Sequence, residues 1–119
     1  MDVQIFGRKK GADSRKVLRF FSERRIRTHF VDIDRKPPSR RELRRFAERY
    51  GAEAVIDRGS ARYEELGLRA AHLSAERVLE RAEEEPRLLR TPLVRWRQRL
   101  SIGHDPEAFK TWVAEEGGS

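Results

Sequence analysis

Cysteine is absent from this chain of 119 residues. Without a thiolate the protein forms no disulfide, binds no metal through sulfur and has no thiol chemistry of its own. Its three histidines, at positions 29, 72 and 104, lack metal-ligand spacing, so we expect no metal site. No apolar run reaches the length of a membrane span, and the first residues lack the apolar core of a signal peptide. We therefore expect a cytoplasmic protein that makes no contact with membranes.

Lysine is also scarce, because only five of the 27 basic residues are lysines and the other 22 are arginines. The net charge is +7, and it is uneven: residues 1–51 carry +9 and residues 52–119 carry −2. An arginine-biased, solvated surface is the simpler interpretation, and a nucleic acid or acidic protein partner for the basic half is the other. The length predicts a single domain over residues 1–119.

The first third of the chain has the pattern of a strand, a helix and a second strand. Residues 3–6 alternate between apolar and polar, and residues 28–34 predict the second strand. Between them, Asp13 or Ser14 is suited to cap a helix that runs to about Arg24. Short connections in such a unit predict parallel pairing of the two strands.

The middle of the chain is predicted to be helical. Ser39 and Glu42 form a capping box, and the helix that follows ends at Gly51. Residues 63–68 predict one more helical turn, and a further helix begins at Ser74.

The last third predicts a hairpin and a helix. Residues 93–96 and 99–102 alternate around a two-residue turn, and Pro106 opens a helix with Trp112 on its inner face. The order is therefore β-α-β, a helical block, then β-β-α.

Four segments in this order resemble the arsenate reductase-like family, which also contains the Spx-type transcription regulators. They are the strand–loop–helix opening at 5–17, a Pro-Ser-x-x-Glu-Leu step within 36–43, a Tyr-x-x-Leu-Gly-Leu turn at 63–68, and a Pro-x-Leu-(Leu/Ile)-x-Arg-Pro-(Ile/Leu) segment at 85–94. The resemblance implies an α/β, thioredoxin-like and glutaredoxin-like fold. It has a mixed four-stranded sheet from residues 1–35 and 89–116, with an all-helical insert at 36–88 between the βαβ and ββα units. It also implies that Pro92 is a cis-proline that faces the active-site loop.

The same resemblance assigns the candidate site residues. In arsenate-reducing members a thiolate attacks the oxyanion and nearby arginines hold it. Gly11 corresponds to the catalytic cysteine of the family, and Ser14 corresponds to a second position that is Cys or Ser in the family. Arg58 and Arg90 fall on two of the oxyanion-holding arginines, whereas a third, on the late hairpin, has no match. Because Gly11 has no thiol, we expect no catalytic residue of the family's kind.

The residues themselves leave alternatives open at each position. The loop before the helix can bind an anion through backbone N–H groups and its basic side chains, or it can simply cap the helix. Ser14 lacks a base that would make it a nucleophile. Arg58 and Arg90 suit a phosphate, an arsenate or a carboxylate, or they form surface pairs with Glu64, Glu65 or residues 83–85.

Two further features raise the question of nucleic acid. The basic pairs at 40–41 and 44–45 lie on one predicted helix, and Trp96 lies among arginines on the hairpin. No recognition motif accompanies them, so a solvated helix face and a half-buried tryptophan are favoured.

These observations predict a bacterial, cysteine-less pseudoenzyme that acts by binding. The ligand is a regulatory protein partner, such as RNA polymerase, or an oxyanion. A thiol-free enzyme that handles glutathione or an oxyanion is the alternative, and nucleic-acid binding through the basic half is a weaker one.

Overall fold

A computed structural model, which describes residues 2–117, gives the strands and helices in the predicted order. The elements are β1 (Val3–Gly7), α1 (Ala12–Glu23), β2 (Thr28–Asp32), α2 (Arg40–Tyr50), α3 (Ala61–Glu65), α4 (Ala75–Glu84), β3 (Leu93–Trp96), β4 (Arg99–Ile102) and α5 (Pro106–Gly117). Short 3-10 turns cover Ala52–Val55, Leu68–Ala70 and Pro86–Leu88. No helix in the described part of the chain is long and apolar enough to span a membrane.

The chain divides into two compact units. The sheet unit consists of residues up to Val31 together with those from Thr91 onward, and the helical unit runs from Asp32 to Arg90. In the sheet unit the strand order is β2-β1-β3-β4, and β3 pairs antiparallel with both β1 and β4. The four-stranded α/β fold predicted from the sequence is confirmed.

The core of the sheet unit is aromatic. Val3 and Ile5 of β1 and Val94 and Trp96 of β3 form one cluster with α1 and α5. Phe21 of α1 lies edge-on to Trp96, with ring centroids 5.8 Å apart, an arrangement that adds to the burial of both rings. Trp112 is buried in the same cluster, as the sequence predicts.

Two predicted boundaries are wrong. The cap of α1 is Gly11, not Asp13 or Ser14, and it offers no side-chain oxygen to the helix. The second strand ends at Asp32 rather than Asp34, because the Asp32 carbonyl oxygen accepts the backbone N–H groups of Arg35 and Lys36 and turns the chain.

Serine caps and ion pairs organise the helical unit. Ser39, Ser60 and Ser74 each accept a backbone N–H from the residue three positions later, at 3.1–3.3 Å, at the starts of α2, α3 and α4. Helices α2 and α4 are joined by ion pairs from Arg40 to Glu83 (3.0 Å) and from Arg44 to Glu76 (3.1 Å). Ser39 and Ser74 were predicted as helix starts, and both are confirmed.

The close approach of β1 to α1 requires glycine at position 7. A Cβ built on Gly7 would lie 2.4 Å from Ser14 Oγ and 3.3 Å from the Phe30 ring. We expect Gly7→Ala to lower the free energy of unfolding by about 1–3 kcal/mol, because the methyl group overpacks the site or displaces the serine oxygen. Gly59→Ala is the matched control, since its Cβ would make only an ordinary 3.6 Å contact. Urea unfolding of both variants measures the difference, and equal stabilities would refute the steric account.

Candidate anion-binding site

The loop between β1 and α1 is held by its own backbone. The Gly11 N–H donates to the Arg8 carbonyl oxygen at 2.9 Å, which closes a tight turn before the helix. Gly11 is the N-cap, with φ −72° and ψ 129°, and no side chain caps the first N–H groups of α1. Uncapped N–H groups at a helix start, together with the helix dipole, favour a bound anion.

Ser14 has a structural contact that explains its burial. Its side chain is only 1% exposed, and its Oγ accepts the backbone N–H of Arg8 at 3.2 Å. Neither a histidine nor a carboxylate within residues 2–117 hydrogen-bonds this oxygen, so no general base activates it. The hydroxyl therefore serves to hold the loop against the helix.

Gly11 does not need to be glycine for conformational reasons. Its φ is negative, so any side chain can adopt this backbone. A Cβ there would lie 3.2 Å from Ser14 Oγ and 3.3 Å from the Arg8 carbonyl oxygen, which small shifts of the neighbours would accommodate. A side chain at this position therefore requires Ser14 and the Arg8 carbonyl group to move by a few tenths of an ångström.

Arg8 is a site residue that the sequence did not single out. Its Nη1 donates to Thr91 Oγ1 at 3.4 Å, and Thr91 is joined to Pro92 by a cis peptide bond. The guanidinium is thus held beside the cis-proline within the sheet unit. Arg90, which the resemblance placed before the cis-proline, is separated from Pro92 by Thr91. The contact of Arg8 with Thr91 joins residues 83 positions apart, so no local pattern in the sequence indicates it.

The rest of the loop is strongly positive. Residues 8–16 contain five cationic side chains and a single acidic one, Asp13, which approaches Lys16 at 4.0 Å. Arg15 donates to the Lys9 carbonyl oxygen. Lys9 and Lys10 are exposed, and neither side chain has a partner within residues 2–117.

Arg58 and Arg90 both belong to the helical unit, on two backbone segments that pair. Ile56 and Leu89 form an antiparallel bridge, with backbone hydrogen bonds from Asp57 to Leu88 (2.7 Å) and from Arg90 to Val55 (2.8 Å). In this register Arg58 continues toward one end of the paired segments and Arg90 stands opposite Val55 at the other. The two positions are three residues apart along the pairing, roughly 10 Å.

The predicted surface partners of the two arginines are wrong. Arg58 Nε lies 3.8 Å from the carboxylate of Glu53, rather than pairing with Glu64, Glu65 or residues 83–85, because the 3-10 turn at Ala52–Val55 brings Glu53 close. The Arg58 side chain is 61% exposed. Arg90 is exposed, and its guanidinium has no partner within residues 2–117. Both remain accessible to an anion.

The features that suggested nucleic acid are mostly neutralised or buried. Arg40, Arg44 and Arg45 all pair with glutamates, which removes much of the free charge from α2. Trp96 is 5% exposed, so it is fully buried rather than half-buried and presents no stacking surface. In the described part of the chain no group of His, Asp and Glu side chains is arranged to hold a metal ion.

Comparison with known proteins agrees with this architecture. The sequence model of the ArsC family matches residues 6–112, nearly the whole chain. The chain belongs to the ArsC family. The matched range includes every candidate site residue: Gly11 and Ser14 at the start of α1, and Arg58, Arg90 and Pro92 further along the chain.

Relatives of this ArsC-family chain include a regulator and an enzyme. The global transcriptional regulator Spx 2 of Oceanobacillus iheyensis is 26% identical over 115 residues, which cover 95% of this chain and 84% of the regulator. The arsenate reductase from Vibrio cholerae is 26% identical, with a TM-score of 0.80 over 90% of this chain and 93% of the reductase. An arsenate reductase related protein from Brucella melitensis shares the fold at 20% identity and a TM-score of 0.68, over 95% of each chain.

The accessible arginines predict a measurable response to oxyanions. We expect arsenate, phosphate, sulfate or glutathione to raise the melting temperature saturably, since a ligand at 100 times its Kd adds about 2.7 kcal/mol to the stability of the folded state. Arg58→Ala/Arg90→Ala should abolish the shift, because guanidinium groups bind such anions bidentately. Arg35→Ala/Arg41→Ala, which removes two other exposed arginines, should keep it. Thermal-shift titration of the three proteins tests this, and the same loss in the control pair would refute a specific site.

Proposed function

We propose that this ArsC-family chain acts by binding a regulatory protein partner and not by thiol chemistry. The proposal rests on the two residues found at the start of α1, Gly11 and Ser14. By its resemblance to the family, the chain has Gly11 at the position of the catalytic cysteine. The neighbouring Ser14 is buried, and its hydroxyl accepts the Arg8 N–H. Without a thiol, the start of α1 cannot carry out the family's thiolate chemistry. The residues of the loop before it can still contact a partner protein.

The partner that we propose is RNA polymerase. Support comes from the similarity to a global transcriptional regulator over 95% of the chain, together with the basic surface of the sheet unit. In the helical unit the cations of α2 are largely paired with glutamates, whereas Lys9 and Lys10 are exposed and unpartnered within residues 2–117. A compact positive patch of this kind suits an acidic protein surface, where charge governs the association rate and specificity.

A binding experiment with purified bacterial RNA polymerase tests this proposal. We expect saturable binding that weakens as salt is added, and a loss of about tenfold or more in affinity for Lys9→Glu/Lys10→Glu, whose new charges repel an acidic partner. The matched control is Arg35→Glu/Lys36→Glu, which reverses two adjacent exposed cations elsewhere. The control should bind as the wild type does. No binding at low salt, or equal losses in both double variants, would sink the proposal.

The second candidate is a thiol-free enzyme that handles glutathione or an oxyanion. Each unit by itself contains an anion-binding group that favours it. The sheet unit has the uncapped N–H groups at the start of α1, and the helical unit has the unpartnered Arg90. The chemistry would then rely on a thiol from glutathione itself.

Arsenate-dependent oxidation of NADPH, coupled through glutathione, glutaredoxin and glutathione reductase, separates the two candidates. We expect the wild type to give no rate above buffer. Gly11→Cys is the matched comparison, because it restores a thiol at a helix start, where the dipole lowers a thiol pKa. Wild-type turnover that disappears in Arg90→Ala would contradict the binding proposal and establish the enzyme.

A further inference from the structure

The helical unit contains a cavity of about 460 Å³ that is separate from the start of α1. Proteins bind small ligands in cavities of about 300–1,000 Å³, so this one is large enough for a metabolite. It is lined by residues of α3, α4 and the segments on either side of α3, and it is open to solvent on one side. All of its lining residues belong to the helical unit, so its shape is set within that unit alone.

Five of the residues that line the cavity are apolar or aromatic. Its lining includes Ile56, Tyr63 and Val78, which are buried, and Leu68 and Leu73, which are half-buried. Such a surface stabilises an apolar or aromatic body by removing it from water, at about 25 cal/mol for each Å² buried. A purely ionic ligand would leave this surface without a partner.

The rim of the cavity is cationic. Arg58, Arg69 and Arg81 line it, and Glu53 is the one carboxylate among the lining residues. Two of the three arginines are compensated, because Arg58 lies 3.8 Å from Glu53 and Arg69 pairs with Glu64. Arg81 is exposed, and its guanidinium has no ion pair or hydrogen bond within residues 2–117. The rim therefore carries one uncompensated positive charge beside the apolar lining residues.

His72 lies at the same rim in an uncommon backbone conformation. Its φ is 46°, in the left-handed region, which residues with a Cβ rarely adopt and which is more frequent for His than for most of them. The imidazole thereby joins the lining and adds a second nitrogen donor near the entrance.

We infer that this cavity binds a small amphipathic monoanion, with its apolar body among Ile56, Tyr63 and Val78 and its carboxylate at Arg81. One anionic group matches one uncompensated charge, and the guanidinium binds a carboxylate bidentately. The volume suits a body of one aromatic ring with a short chain. The inference goes beyond the proposed contact with RNA polymerase and does not depend on it. Arg58 lines the cavity and also belongs to the Arg58 and Arg90 pair, but the inference rests on Arg81, which is not part of that pair.

The test uses two probes with the same apolar body, 4-phenylbutyrate and 4-phenylbutan-1-ol, titrated into the ¹⁵N-labelled full chain. We expect saturable amide shifts for the acid, confined to residues lining the cavity, and about tenfold weaker binding of the alcohol. Arg81→Gln should weaken the acid by about tenfold and leave the alcohol unchanged. The matched control is Arg77→Gln on the same helix, whose arginine pairs with Glu80 and does not line the cavity.

Each result decides the inference. Localised shifts, a preference for the acid and a loss specific to Arg81→Gln would establish it. Shifts spread over the surface, equal affinities for acid and alcohol, or the same loss in Arg77→Gln would overturn it. The amide spectrum of each variant reports at the same time that the chain is folded.

Discussion

The contact of Ser14 with the end of β1 is the constraint on which the site depends. Gly7 lets the strand approach so closely that a methyl group there would lie 2.4 Å from Ser14 Oγ, and that oxygen accepts the Arg8 N–H. A buried N–H without a partner would cost about 1–3 kcal/mol, so the serine secures the point where the strand enters the loop. The turn from Arg8 to Gly11 and the start of α1 follow from it.

This arrangement accounts for a fold that persists without its reactive group. The backbone conformation at Gly11 is one that any residue adopts, so glycine is not required there on conformational grounds. The hydroxyl of Ser14 maintains the loop, and the core of Phe21, Trp96 and Phe109 maintains the sheet behind it. The contacts that hold this fold together therefore do not require a thiol.

The sequence predicts the helices and strands more completely than it predicts the contacts of the candidate site. Periodicity and caps such as Ser39 and Ser74 identify the helices, because these signals are local. The cap of α1 was mispredicted because the Ser14 hydroxyl accepts the backbone N–H of a loop residue, Arg8, instead of an N–H of its own helix. Likewise, the pairing of Arg58 with Glu53 and the role of Arg8 beside Thr91 depend on how the chain folds back. No spacing rule contains that information.

The most direct test of the account is amide hydrogen exchange at Arg8, followed residue by residue in the wild type and in Ser14→Ala. If Ser14 holds the loop as a fixed structural element, the Arg8 amide exchanges more slowly than those of Lys9 and Lys10, and the variant loses this protection. If the wild-type Arg8 amide exchanges as fast as its two neighbours, Ser14 does not hold the loop. The hydroxyl would then be free for chemistry, and the central claim would be wrong.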